Sequence, residues 1–259
     1  PVALKLAPWN PATINATGDI TVTGVFTRSG GTHSCAGRTV AQGGLVIDGD
    51  FHRLSWRTLV NAASGAWTAG DIGMESGASL VTPAGSVLTV DAAARLYHYF
   101  GLGAAPQFQN QGEVVKRGTG AAQIDVRTTN NGALRGEAGV LGIEAPLMHT
   151  GSLNVAADAT LSFANGANGT ILAAGSSVRG AGNVQLAEWA WISNPAVIEV
   201  RGEFVIGGET LLRDGPVLIA EGATFSTTRL FLDSGQLRVQ APITVTDVLT
   251  WNAASLTGL

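Results

Sequence analysis

One cysteine, two lysines and no long apolar run mark this chain of 259 residues, and each scarcity closes off a class. Cys35 stands alone, so no internal disulfide framework exists. No stretch approaches the roughly 18 uninterrupted apolar residues that span a bilayer, which argues against membrane insertion. Lys5 and Lys116 are the only lysines, the net charge is -4, and no basic stripe is visible. Nucleic acid is therefore not expected as a partner. Long amphipathic helical patterns are missing too; Val90 to Phe100 (VDAAARLYHYF) offers the one plausible helical turn or two. Pro1 to Pro11 lack the basic start and cleavage site of a signal peptide. The chain reads as a mature form or a piece of something longer, and its scarcity of thiols leans towards an extracellular setting.

What is abundant is glycine, 35 residues of it, set between many short Val/Ile/Leu/Thr runs. That distribution suits an all-β chain with a long, thin core. Between residues 175 and 251 the runs recur every twenty residues. Val197, Val217 and Leu237 open successive runs, Val205, Phe225 and Val245 form a second column, and Leu211, Phe231 and Trp251 a third. Turn residues keep the same beat in Gly182, Gly202, Gly222 and Pro242, and in Gly175, Pro195, Gly215 and Gly235. A unit this small cannot bury its own apolar side chains and becomes stable by stacking on copies of itself. The expected fold is a right-handed parallel β-helix, a β-solenoid with three short strands per coil. Roughly a dozen coils would extend about 60 Å at one strand spacing each. Handedness follows from the general preference for right-handed crossovers.

Charge offers an independent check. Residues one coil apart are neighbours at about 4.8 Å, where opposite charges are favoured. At the twenty-residue spacing the chain places Arg179 with Glu199, Arg201 with Glu221, Glu209 with Arg229, and Arg213 with Asp233.

From Ser152 onward the coils read easily: Leu153 and Val155, Leu161 and Phe163, and Ile171 and Leu172 are three strands of one coil, with an enlarged corner after Phe163. Residues 1–18 read as an N-terminal extension or pairing segment, and 19–259 as a single solenoid. An irregular excursion is expected near 92–106, where Tyr97, His98, Tyr99 and Phe100 meet Gly101, Gly103 and Pro106. Ile20 to Thr27 (ITVTGVFT) also matches Ile243 to Thr250 (ITVTDVLT), as if the chain began and finished at equivalent points of a larger repeat.

Several stretches resemble motifs of very large secreted bacterial surface proteins. They are Asp50 to Asn61 (DFHRLSWRTLVN), Ala66 to Gly73 (AWTAGDIG), Phe108 to Lys116 (FQNQGEVVK), Asn130 to Leu134 (NNGAL) and Gly151 to Phe163 (GSLNVAADATLSF). Those proteins carry Gly/Asn-rich repeats similar to filamentous-haemagglutinin and autotransporter-passenger β-helices. The resemblance implies a right-handed β-helix, an exterior location and a stalk, fibre or adhesin role, and it brings no catalytic motif.

Corner asparagines Asn110, Asn130, Asn131 and Asn165 fit stacked amide ladders rather than a ligand site. A polysaccharide-cleaving site would need carboxylates brought together, and Asp48, Asp50, Asp71 and Glu75 are the best candidates, with solvated turn carboxylates as the plainer reading. His33, His52, His98 and His149 show no metal-ligand spacing, so neither metal nor cofactor is expected. The surface of most interest is an aromatic-aliphatic stripe of Trp189, Trp191, Leu211, Phe231 and Trp251, suited to self-association or to glycan contact. The expected function is that of a non-enzymatic structural protein at the cell surface, assembling head to tail or through this stripe. A carbohydrate-binding adhesin module is the first alternative and a β-helix polysaccharide-cleaving enzyme the second.

Overall fold

Short apolar alternations closed by glycine corners give each segment one face to bury and no partner within its own turn. The chain solves this by winding. The computed structural model describes residues 4–6 (backbone only), 12–100, 103–163, 169–186 and 196–258. It is an all-β, parallel β-solenoid of about 12 turns with about 20 residues per turn. No helix among the described residues is long and apolar enough to cross a membrane. The coils fall into two compact units, Pro1–Gly132 and Ala133–Leu259.

In the first unit each coil contributes three strands. One coil runs through Leu45–Ile47, Phe51–Ser55 and Thr58–Asn61, and the next through Ser64–Trp67, Asp71–Glu75 and Ser79–Thr82. Every strand pairs in parallel with its counterpart one coil on. The step is not constant: Val46 pairs with Ala66, Ala66 with Thr89, and Thr89 with Val115, steps of 20, 23 and 26 residues. Corners absorb the difference, so the strands stay in register while the loops vary.

Alternation fixes which side chains enter the core. Leu59, Leu80 and Phe108 stack inward along the third strand, and Ile72, Leu96 and Ile124 along the second. The same interior also holds polar columns. Asn110 Nδ2 donates to Asn130 Oδ1 at 2.6 Å, and both residues are fully buried. The amide ladder expected at these two positions is present, and each amide meets a hydrogen-bonding demand that an apolar core would otherwise leave unmet. Asn165 lies outside the described residues.

The second unit is built alike from Ala133–Gly136, Gly139–Ile143 and Leu147–His149 onward. Ser152–Val155, Ala159–Phe163 and Thr170–Leu172 are the three strands of one coil, as the sequence indicates. In its last coils the first two strands fuse into long ones, Glu203–Leu212, Thr224–Leu232 and Ile243–Trp251. Phe204 lies over Phe225 with ring centroids 4.6 Å apart and planes 4° from parallel.

Several expectations are corrected. Val90 to Phe100 is not helical: Ala94–His98 is a strand, paired with Asp71–Glu75 on one side and Ala121–Asp125 on the other. The irregular segment therefore starts beyond His98. Outside these corrections, residues 1–18 include Leu4–Leu6 and Thr13–Asn15, paired with Phe26–Arg28 and Gly31–Ser34. The long repeat does not survive, because Ile20–Val22 is a third strand, paired with Arg38–Ala41, whereas Ile243–Trp251 is a fused first and second strand paired with Thr224–Leu232. Two charge pairs hold, Arg213 with Asp233 at 3.0 Å and Glu209 with Arg229 at 3.9 Å. The other two do not: Arg179 pairs with Glu203, and Arg201 with Glu199, two residues before it, at 2.7 Å.

Candidate functional site

The stripe read from the sequence is only partly a column. Trp189 and Trp191 lie outside the described residues. Leu211 is registered with Phe231, and both are half-buried. Phe231, however, is registered with Thr250, while Trp251 sits over Leu232, in line with the inward-facing side chains. A register shift between Thr227 and Arg229 moves Trp251 by one place and thus to the other face. Its indole Nε1 donates to Ala254 O at 2.6 Å, and the residue is 47% exposed. Similar slips set Phe204 over Phe225 in place of Val205, and Ile198 over Val217 in place of Val197.

Two of the candidate carboxylates, Asp71 and Glu75, are separated and already engaged. Asp71 and Glu75 stand at opposite ends of one strand, about 13 Å apart at the usual rise per residue, too far for a catalytic pair. Asp71 Oδ1 accepts from the backbone N–H of Arg95 at 2.8 Å. Glu75 accepts two bonds from the Arg53 guanidinium, at 2.6 and 3.0 Å, and is nearly buried beneath it. Among the described residues no group of three His, Cys, Asp or Glu side chains is placed to hold a metal ion.

Two other constellations emerge from the first unit. The first is internal. Arg57 is fully buried and donates to Ala16 O, Ala36 O, Gly18 O, Arg38 O and Thr39 Oγ1. Arg28 is fully buried too and reaches Arg53 O at 3.1 Å. Desolvation pulls its pKa down to about 10. Beside them His33 and His52 are buried, and desolvation together with the charge of Arg28 holds their pKa values at about 3 and about 4. Both imidazoles are therefore neutral at pH 7. This cluster is closed to solvent and ties coils together; its role is architectural.

The second faces outward on the strands Phe51–Ser55, Asp71–Glu75, Ala94–His98 and Ala121–Asp125. Phe51 lies 5.2 Å from Tyr99, Tyr97 6.1 Å from Tyr99, and Tyr99 4.0 Å from Phe100, all centroid to centroid. The Arg53 guanidinium sits 5.4 Å from the Tyr99 ring centre and that of Arg95 5.3 Å from Tyr97. Arg95 is also ion-paired with Asp125. Gly73 makes the arrangement possible, since a Cβ there would lie 2.9 Å from the Phe51 ring and 3.0 Å from that of Tyr99. Burial, helped by the charge of Asp71, raises the Tyr97 pKa, so its hydroxyl stays protonated.

Sequence reasoning placed Tyr97 to Phe100 in an excursion and passed over Phe51 and Trp56. A signal existed in the alternation of Phe51, Arg53 and Ser55 against Asp71, Gly73 and Glu75, but only the register shows that the rings converge. Comparison with protein-family profiles, with curated proteins and with solved structures found no match.

Proposed function

We propose that this chain is a mechanical element, a segment of an extracellular or cell-surface stalk or fibre, without a catalytic role. The observation that supports this most is the ladder itself. Within each unit, described coils hydrogen-bond in parallel to the next, so load along the axis is shared by many backbone bonds in register. Interior columns such as Leu212 with Leu232 and Val217 with Leu237 lock that register by burial. The extracellular placement in this proposal rests on the resemblance of the sequence motifs to large secreted bacterial surface proteins.

The strand Ile243–Trp251 pairs with Thr224–Leu232, and no described strand pairs with its other edge. Val248, Leu249, Trp251 and Leu256 expose apolar surface there. Such an edge accepts a further strand, whether from the same polypeptide or from another copy. Negative-stain electron microscopy tests the assembly. Filaments with a regular axial repeat are expected, shortened or abolished by Leu249→Lys. Particles that stay dispersed at high concentration would overturn it.

A further inference from the structure

The outward corner of the first unit carries a row of left-handed residues that are not glycine. Cys35, Trp56, Ser76 and Phe100 have φ of 72°, 58°, 53° and 54°. They lie at the same corner in successive coils. Ser55 is registered with Glu75, which puts Trp56 beside Ser76; Met74 is registered with His98, so the next corner opens at Tyr99 and Phe100 and brings Gly103 against Ser76; His33 is registered with Leu54, which puts Cys35 beside Trp56. Glycine or asparagine would adopt this backbone readily, whereas bulky side chains do so rarely and under strain. Two of the four positions nevertheless hold large aromatics, and these are the most exposed of the described residues' large apolar side chains, Trp56 at 62% and Phe100 at 74%. Core packing does not account for them.

Trp56 and Phe100 lie two coils apart, about 9.6 Å at the strand spacing. Between them the corner holds Ser76 with Gly103 packed against it, and neither carries a large side chain. That separation is close to the length of a disaccharide in an extended glycan. Next to this row lie Phe51, Tyr97 and Tyr99, with Arg53, Arg95, Asp71, Glu75 and Asp125 among them. Two guanidinium groups face three carboxylates, and both are already ion-paired, Arg53 with Glu75 and Arg95 with Asp125. An anionic ligand would find no free positive charge here. A neutral, hydroxyl-rich one finds aromatic faces for its C–H surfaces and both donors and acceptors for its hydroxyls.

We infer that this corner, with Trp56 and Phe100 as platforms, binds a neutral extended polysaccharide laid along the solenoid axis. The inference is independent of the fibre reading, because assembly is read by microscopy and this site by glycan titration.

Trp56→Gly and Phe100→Gly remove the rings while keeping a residue at ease with the backbone. Isothermal titration of the full chain with cellohexaose, xylohexaose and chitohexaose should show binding of at least one, little altered by salt. Each glycine variant should weaken it about 3- to 10-fold, and the double variant should abolish it. Trp56→Asn, also compatible with left-handed backbone, should reproduce the loss if the glycine variant folds poorly. Three results would each overturn the inference: no binding of the three neutral hexasaccharides at millimolar concentration, affinity unchanged in the double variant, or salt-sensitive binding of polygalacturonate alone. So would self-association through the patch, seen as sedimentation of a dimer that Trp56→Gly disperses, without glycan binding.

Discussion

Arg57 Nε donates to Thr39 Oγ1 across 2.7 Å, and the same hydroxyl is hydrogen-bonded to Nε2 of His33, 2.9 Å away. Thr39 thus links the Arg57 guanidinium to the His33 imidazole and holds the ring in place. Protonating that ring would place a further cation among Arg28 and Arg57, in a site without solvent. The low pKa of His33, about 3, has its largest cause in desolvation, with those two charges behind it.

Stability should therefore fall in acid. His33 and His52 have folded pKa values of about 3 and about 4, both below the unfolded value near 6.5. Below pH 6.5 the unfolded chain takes up protons that the folded chain refuses, so unfolding is favoured progressively until the pH reaches the folded values. At pH 5 each histidine costs about 2 kcal/mol relative to pH 7, as an order of magnitude. Urea unfolding from pH 7.5 to 4.5 should show this slope, and the double variant His33→Gln, His52→Gln should flatten it. An unchanged slope in the double variant would refute the assignment.

Arg57 itself should be hard to replace. Its guanidinium satisfies carbonyls at residues 16, 18, 36 and 38, on two preceding coils, as well as Thr39. A lysine offers one compact ammonium in place of a planar fork. Arg57→Lys should destabilise by about 2–4 kcal/mol because buried carbonyls lose their donors. A shift in urea midpoint with unchanged m-value measures it, and a loss below about 1 kcal/mol would contradict a stapling role.

Much of this fold is legible in the sequence, because the stacking period repeats in side-chain chemistry. Arg213 with Asp233 and Leu211 with Phe231 are twenty apart in sequence and paired in space. What misleads is compensation between coils. Phe204 pairs with Phe225 at a step of 21, Glu209 with Arg229 at 20, and Phe225 with Ile243 at 18. Bulges after Ile206 and Thr227 add or drop residues locally, so the mean period stays near twenty while a column shifts by one or two. In a strand, one residue is the difference between core and surface, and Trp251 changed face for that reason. The aromatic corner was illegible for another cause: left-handed conformation at Trp56 or Phe100 leaves no mark in composition, since those residue types do not favour it.

The Phe204–Phe225 stack offers a direct probe of register in the second unit. Both rings are buried, 4.6 Å apart and nearly parallel. Phe225→Ala should cost about 3–5 kcal/mol through lost burial and a cavity. In a double-mutant cycle with Phe204→Ala, a coupling of about 0.5–1.5 kcal/mol is expected for rings in contact. A coupling near zero would place the two phenylalanines apart and refute the step of 21.

Two glycines separate backbone strain from coil-to-coil closeness. Gly180, with φ of 140°, lies between Val155 and Ile206 in the ladder, and a Cβ there would fall 1.9 Å from Val155 O. Gly175, with φ of 81°, turns a corner where a Cβ would meet nothing within 4 Å. Gly175→Ala should cost only the left-handed penalty, about 1–2 kcal/mol, and Gly175→Asn less. Gly180→Ala must push one coil away from the next and break hydrogen bonds on both sides, so its cost should be larger, at least about 3 kcal/mol. Hydrogen exchange should show lost protection at residues 155–156 and 204–206 in the Gly180 variant and none there in the Gly175 variant. Equal costs for the two alanines would mean that coil spacing at Gly180 is looser than the ladder requires.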